Sequence, residues 1–174
     1  MERVVGFFLV FFSFAIDRLT KNFVIKFFES SELETNFFEL FSFMNIILVF
    51  NEGIGFGLFR NASSSVMVLL SLLIVIIMIF LIFLIYRSST ILKSSAYGLI
   101  LGGAMGNFYD RFFYNKVTDF LDFHLGNFHW YTFNFADIAI TIGIMLLLFD
   151  ELNNYFRLKN TNKNLERTMN VTGG

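Results

Sequence analysis

Long apolar stretches interrupted by a few polar residues organise this chain. Four segments reach or approach the roughly 20 residues that a helix needs to cross the hydrocarbon of a bilayer: about Val4 to Phe28, Val66 to Tyr86, Ser95 to Phe113 and Phe133 to Phe156. Only the second is uniformly apolar. The first carries Asp17 and Lys21, the third Asn107, Asp110 and Arg111, and the fourth Asn134 and Asp137. Such groups are expensive against lipid, so helices one, three and four are expected to face one another. Two further segments, about 29–63 and 114–132, are too hydrophobic for solvated loops and are expected to lie on the membrane. Met44 to Phe50, rich in branched and aromatic residues, reads as a strand. It runs into Asn51-Glu52-Gly53-Ile54-Gly55-Phe56-Gly57, where alternating glycines permit a sharp turn or a close approach to a ligand.

Composition turns this pattern into a class. Of 174 residues, 56% are hydrophobic, 16% are charged and 27 are phenylalanine, more apolar surface than a soluble domain of this size could hide. The expected fold is an all-α membrane protein of four transmembrane helices with a small extracytoplasmic β-rich cradle. Residues 1–159 form one domain, and 160–174 a polar tail expected to be disordered. The apolar start lacks a cleavage site of small residues, so the first helix is expected to be retained. An even number of spans puts both termini on one side. Arg3, Arg87, Lys93, Arg157, Lys159, Lys163 and Arg167 fall there, whereas Glu29, Glu32, Glu34, Glu39 and Glu52 fill the first long loop. Both termini are therefore expected to be cytoplasmic, although Lys26, Arg60 and Lys116 lie opposite. A net charge of -1 with dispersed bases gives no reason to expect nucleic-acid binding. With no cysteine, and only His124 and His129 as imidazoles, neither a metal nor another cofactor is expected.

Asp137 carries the strongest chemical signal. It opens the apolar run Ile138 to Phe149, and the nearest bases are Lys116 and Arg157. A carboxylate there must be protonated, paired across the fold or wetted by a polar cavity. Asn134, three residues earlier, could simply cap the free amides of the helix, and Asp137 itself could be a capping carboxylate. A second acid at the same membrane face, Asp119 or Asp122, favours chemistry instead. Two carboxyls brought together cannot both ionise cheaply, so one keeps a proton while the other takes one from a water between them. That arrangement hydrolyses peptide bonds. In an extended strand, residues three apart point to opposite faces, so only one of Asp119 and Asp122 can face Asp137, and spacing does not choose. Asp17 and Lys21, four apart, read as an ion pair; Asp110 reads as a carboxylate held ionised by adjacent Arg111; Asn107 and Arg111 offer directed donors to a substrate carbonyl. The histidines, Trp130 and Tyr131 read as interfacial surface. The serines lack a base beside them, and Gly102-Gly103 reads as a close helix contact.

These residues fall into five blocks: Asp17-Arg18-Leu19-Thr20-Lys21; Asn51-Glu52-Gly53 with Phe56; Gly102-Gly103-Ala104-Met105-Gly106-Asn107-Phe108-Tyr109-Asp110-Arg111; Val117-Thr118-Asp119-Phe120; and Phe133-Asn134-Phe135-Ala136-Asp137. In this order they resemble lipoprotein signal peptidase (signal peptidase II), a bacterial inner-membrane aspartyl protease family, up to about residue 157. The resemblance implies a catalytic dyad of Asp119 and Asp137, with Asp122 a bystander. It implies substrate contacts from Asn51, Gly53, Asn107, Arg111 and Asn134, and structural support from Asp17, Lys21 and Asp110. Arg18, Phe50 and Glu52 are unusual at their positions. The implied reaction removes signal peptides from diacylglyceryl-modified prolipoproteins, cutting before the lipidated cysteine. The implied setting is a monomer among lipids of the inner membrane, with its active site near the periplasmic face. A small proton- or ion-coupled transporter is the alternative, and it would need polar residues along a path to both faces.

Overall fold

A computed structural model of the 174-residue chain describes residues 1–30, 37–52 and 64–172. Four helices, α1 (Glu2–Ser30), α2 (Ser64–Arg87), α3 (Ile91–Tyr114) and α4 (Phe135–Thr172), accompany four strands, β1 (Phe37–Phe41), β2 (Met44–Asn51), β3 (Val117–Leu125) and β4 (Phe128–His129). The shortest helices have 24 residues, about 36 Å at 1.5 Å per residue, enough to cross a bilayer. Among the described residues, Val68–Arg87 is the one helix long and apolar enough to cross a membrane by length and composition. The other three have polar positions turned inward, while Phe8, Phe11, Phe23, Ile142, Met145 and Leu148 remain exposed on their outer surfaces. In a membrane protein that exposed face meets lipid.

α3 is the central helix, packed mainly on α1 and α4, and α2 joins it through a cluster of Leu81 and Ile85 with Val10 of α1 and Leu101 of α3. Glycines permit the close approach. A methyl added at Gly98 would strike the Gly6 backbone, at Gly102 the Val10 carbonyl and Ser13 hydroxyl, at Gly103 the Ala136 carbonyl, and at Gly106 the Asp17 carboxylate. Gly98, Gly102 and Gly106 are four apart and so form one face; Gly103 serves the other neighbour. Thr90 caps the start of α3 by accepting the Lys93 amide, and Asn115, in the left-handed region at φ 56°, ends it. That ending turns the chain into β3 within two residues.

The strands form one antiparallel sheet in the order β1-β2-β3-β4. β2 pairs with β3 so that Asn51 opposes Val117 and Val49 opposes Asp119. On its other edge β3 holds the chain entering α4: the Phe120 and Leu121 amides donate to the Phe133 carbonyl, and the Phe133 amide donates to the Leu121 carbonyl. Val24, Phe120 and Leu121 seal the sheet onto the helices, with Phe133, Phe135 and Ile138 packed around them.

The expected β-rich segment is thus a sheet built from both loops, and α3 begins at Ile91, ahead of the expected Ser95. α4 continues to Thr172 where a disordered tail was expected. Residues 157–172 contain no proline or glycine, so an established helix propagates through polar sequence at little cost per residue. The glycine-rich turn beginning at Gly53 lies outside the described residues. Gly102→Ala is expected to lower stability by about 1–3 kcal/mol, because the Val10 carbonyl lies 2.5 Å from the added methyl. Gly126→Asn, at φ +59° with open space around it, should change stability by less than about 0.5 kcal/mol. Unfolding midpoints in detergent compare the two.

Candidate active site

Lys21 is 1% exposed and its ammonium is shared by two carboxylates, lying 2.9 Å from Asp17 Oδ2 and 3.0 Å from Asp110 Oδ2. It also donates to Asn107 Oδ1 at 3.0 Å. Arg18 reaches the same acids, with Nη1 2.6 Å from Asp110 Oδ1 and Nη2 3.1 Å from Asp17 Oδ2. The expected Asp17–Lys21 pair is therefore one side of a four-group cluster. Asp110 corrects the sequence expectation. Its partners are Arg18 and Lys21 across the helix contact, while Arg111 donates to the Asn107 carbonyl. Arg111 turns its guanidinium back along α3 to the carbonyl one turn earlier, which leaves Asp110 to the cations of α1.

Each carboxylate of the cluster also grips a backbone amide from a neighbouring element. Asp110 Oδ2 accepts the Thr118 amide at 3.1 Å, and Asp17 Oδ1 accepts the Ala136 amide at 3.1 Å. Thr118 immediately precedes Asp119, and Ala136 immediately precedes Asp137. The ion cluster thus sets the backbone beneath both candidate acids.

Above it the side chains that hydrogen-bond Asp119 and Asp137 are neutral amides. Asn134 Nδ2 donates to Asp119 Oδ1 at 2.6 Å and to Asn107 Oδ1 at 3.1 Å. Asn107 Nδ2 donates to Asp137 Oδ1 at 2.8 Å, and Asn51 Nδ2 donates to Asp119 Oδ2 at 3.1 Å. Asn134 does cap α4: its Oδ1 accepts the Asp137 amide while Asp137 Oδ2 accepts the Asn134 amide, a reciprocal capping box. Capping and site formation are the same contact here. The asparagine amide left over from the cap reaches Asp119.

Asp119 and Asp137 line one cavity of about 480 Å³, with Asn51, Asn107 and Arg111 among its polar walls and Phe133, Ile138, Ile140 and Ile142 among its apolar ones. Asp119 is 3% exposed. Burial pushes its carboxyl up to about 6; the Asn51 amide opposes that rise and the nearby Asp137 charge adds to it. Arg111 Nε is buried with no hydrogen-bond partner. Asp122 lies away from this cavity, where His129 Nδ1 approaches its Oδ2 to 2.7 Å and the Asn45 amide donates to it. Alternation along β3 separates the two acids as expected.

His129 is exposed, but His124 is only partly so, with both ring nitrogens buried and its ring stacked on His129. Among the described residues no group of three or more acids and histidines could hold a metal. Tyr131 was read as interfacial, yet its hydroxyl accepts from the Asn51 amide and it lines the cavity. Nothing in its sequence context marked that role. Gly53 lies outside the described residues.

Lys21→Met would leave Asp17 and Asp110 buried with Arg18 as their shared cation, and is expected to destabilise the fold by about 3–5 kcal/mol. Lys21→Met/Asp17→Asn should recover part of that loss. Thermal unfolding of both variants in one detergent checks the pair.

Residues 9–153 match the family model described as "Signal peptidase (SPase) II". Among curated relatives, the chain is similar to the lipoprotein signal peptidase of Pelagibacter ubique, 40% identical over 86% of this chain and 87% of that one. It is also similar to those of Francisella tularensis subsp. mediasiatica (41%, covering 80% and 89%) and Burkholderia thailandensis (39%, covering 78% and 80%). Among solved structures, a bacterial membrane enzyme determined by the in meso method at 2.3 Å superposes with a TM-score of 0.73 at 25% identity, covering 86% of this chain and 88% of that one. A second such enzyme, at 1.9 Å, gives 0.70 at 26% identity, covering 84% and 92%. The relatives are matched over most of their length, and the helices and glycines that build the ion cluster and the cavity lie inside the matched region. The chain belongs to the signal peptidase II family of membrane aspartyl peptidases.

Proposed function

We propose that Asp119 and Asp137 are the catalytic dyad with which this lipoprotein signal peptidase cleaves its substrates. The observation that carries this reading is that both carboxylates line one cavity and are held by asparagine amides. A cation in direct contact would pin both as anions. Neutral donors orient them and leave one proton to be shared.

The pair holds one proton and one water. The ionised carboxylate takes a proton as the water oxygen attacks the scissile carbonyl, and the protonated partner hydrogen-bonds the developing oxyanion. Collapse breaks the C–N bond, and the departing amine takes a proton from the dyad. Arg111, with its unpartnered Nε, together with Asn51, Asn107 and Asn134, positions the peptide. Gly53, outside the described residues, is assigned to substrate binding on the family resemblance of its block Asn51-Glu52-Gly53.

The substrate is a prolipoprotein bearing a diacylglyceryl-cysteine, cut just before that residue. Apolar cavity walls from α4 let its acyl chains stay in hydrocarbon, where transfer to water would cost about 0.8 kcal/mol per methylene. We place the site near the periplasmic face of the inner membrane, both termini in the cytoplasm, the sheet as an extracytoplasmic cradle, and the working enzyme as a monomer. Membership of the peptidase family removes the reason to prefer a transporter.

Asp119→Asn and Asp137→Asn should each lower cleavage of a diacylated prolipoprotein in detergent by at least about 10³-fold with unfolding midpoints near that of the parent. Asp122→Asn should stay within about threefold. Near-parental cleavage by either dyad variant would remove the assignment, and equal cleavage of unacylated substrate would remove the lipid requirement. The pH profile provides a second check. With Asp137 ionised, Asp119 keeps its proton up to about 6, so kcat/KM should fall as pH rises through that value, by up to about tenfold per unit as the pair loses its acid. Rates constant from pH 5 to 8 would contradict a shared proton.

A further inference from the structure

Arg18 has no part in the mechanism above, yet it sits at the base of the site. Its side chain is 14% exposed, its guanidinium contacts Asp110 and Asp17, and its Nε is buried without a partner. The Tyr109 ring covers it at 4.8 Å and is itself packed edge-on by Phe14. A guanidinium on a spanning helix is costly to insert, so its presence calls for a compensating contact. The compensation is a closed ring: Arg18 to Asp110, Asp110 to Lys21, Lys21 to Asp17, and Asp17 back to Arg18. Two cations meet two anions and the ring is neutral. Without Arg18 it would carry one net negative charge, and Asp110 Oδ1 would lose its guanidinium partner.

We propose that Arg18 is a positioning residue for the dyad: by neutralising and bridging Asp17 and Asp110, it holds the two carboxylates that grip the amides preceding Asp119 and Asp137. This rests on the dyad assignment above. The groups facing the ring are Asp17 and Lys21 on α1, Asn107 and Asp110 on α3, and the amides of Thr118 and Ala136. Arg18 is not part of the cavity lining, so its effect falls on the chemical step rather than on substrate binding.

The test compares the full-length parent with Arg18→Met, Arg18→Lys and Arg18→Met/Asp110→Asn, using a diacylated prolipoprotein in one detergent across pH 5–8. Arg18→Met should lose roughly tenfold in kcat with KM within about twofold. The extra negative charge beneath the dyad makes it hold its proton more tightly, so the falling limb of kcat/KM should move to higher pH. Arg18→Lys keeps the charge and should keep the parental limb. The double variant restores neutrality and should return the limb to its parental position while kcat stays low. Arg18→Met with the parental kcat and limb, or with only a lowered unfolding midpoint, overturns the proposal. If that variant does not fold, a shifted limb in Arg18→Lys or in the double variant overturns it, and parental limbs in both support it. A parent that fails to cleave, or an Asp119→Asn variant that cleaves normally, overturns the dyad reading itself and this inference with it.

Discussion

Two carboxylates buried between helices in an apolar bundle must find cations inside the fold, and Lys21 answers that constraint. Its ammonium lies within 3.0 Å of both Asp17 and Asp110, which belong to different helices, so α1 and α3 can neutralise their charges only when docked in one register. Leaving either acid unpaired would cost about 3–5 kcal/mol. Gly98, Gly102 and Gly106 let the backbones come close enough for the contact, and Gly106 faces the Asp17 carboxylate directly. Charge and close packing therefore specify the same arrangement.

From that cluster the structure propagates upward through backbone amides. Asp110 fixes the first turn of the chain into β3, Asp17 fixes the first turn of α4, and the Phe133 bridge ties those two segments to each other. The outcome is two classes of acid within one small region. Asp17 and Asp110 touch cations and serve as fixed anions. Asp119 and Asp137 touch asparagine amides, which orient a carboxyl without dictating its charge. That separation suits the dyad role proposed for the second pair, and it is produced by placement, since all four residues are aspartates.

Much of the fold was legible because its causes are local. Apolar length revealed the spans, and the four-residue spacing of Asp17 and Lys21 placed them on one face. β-branched and aromatic residues in Met44 to Phe50 announced β2. The helical continuation of α4 to Thr172 was not legible, since polar sequence without helix breakers reads equally as tail or helix. Nor was the partner of Asp110. Adjacency to Arg111 pointed one way along the chain, and the inter-helix geometry that brings Arg18 to it leaves no local trace.

By itself the sequence determined that the protein lives in a membrane, which helices turn polar faces inward, and, through five blocks in order, which family it belongs to. Tertiary structure decided that Asn134 caps a helix and reaches Asp119 with the same side chain, that Tyr131 joins the site, and that Arg18 closes the ion-pair ring. The division has a physical reason. Hydrophobic period and helix caps depend on neighbours within a few residues along the chain, whereas a hydrogen bond between residues 18 and 110 exists only after two helices have met.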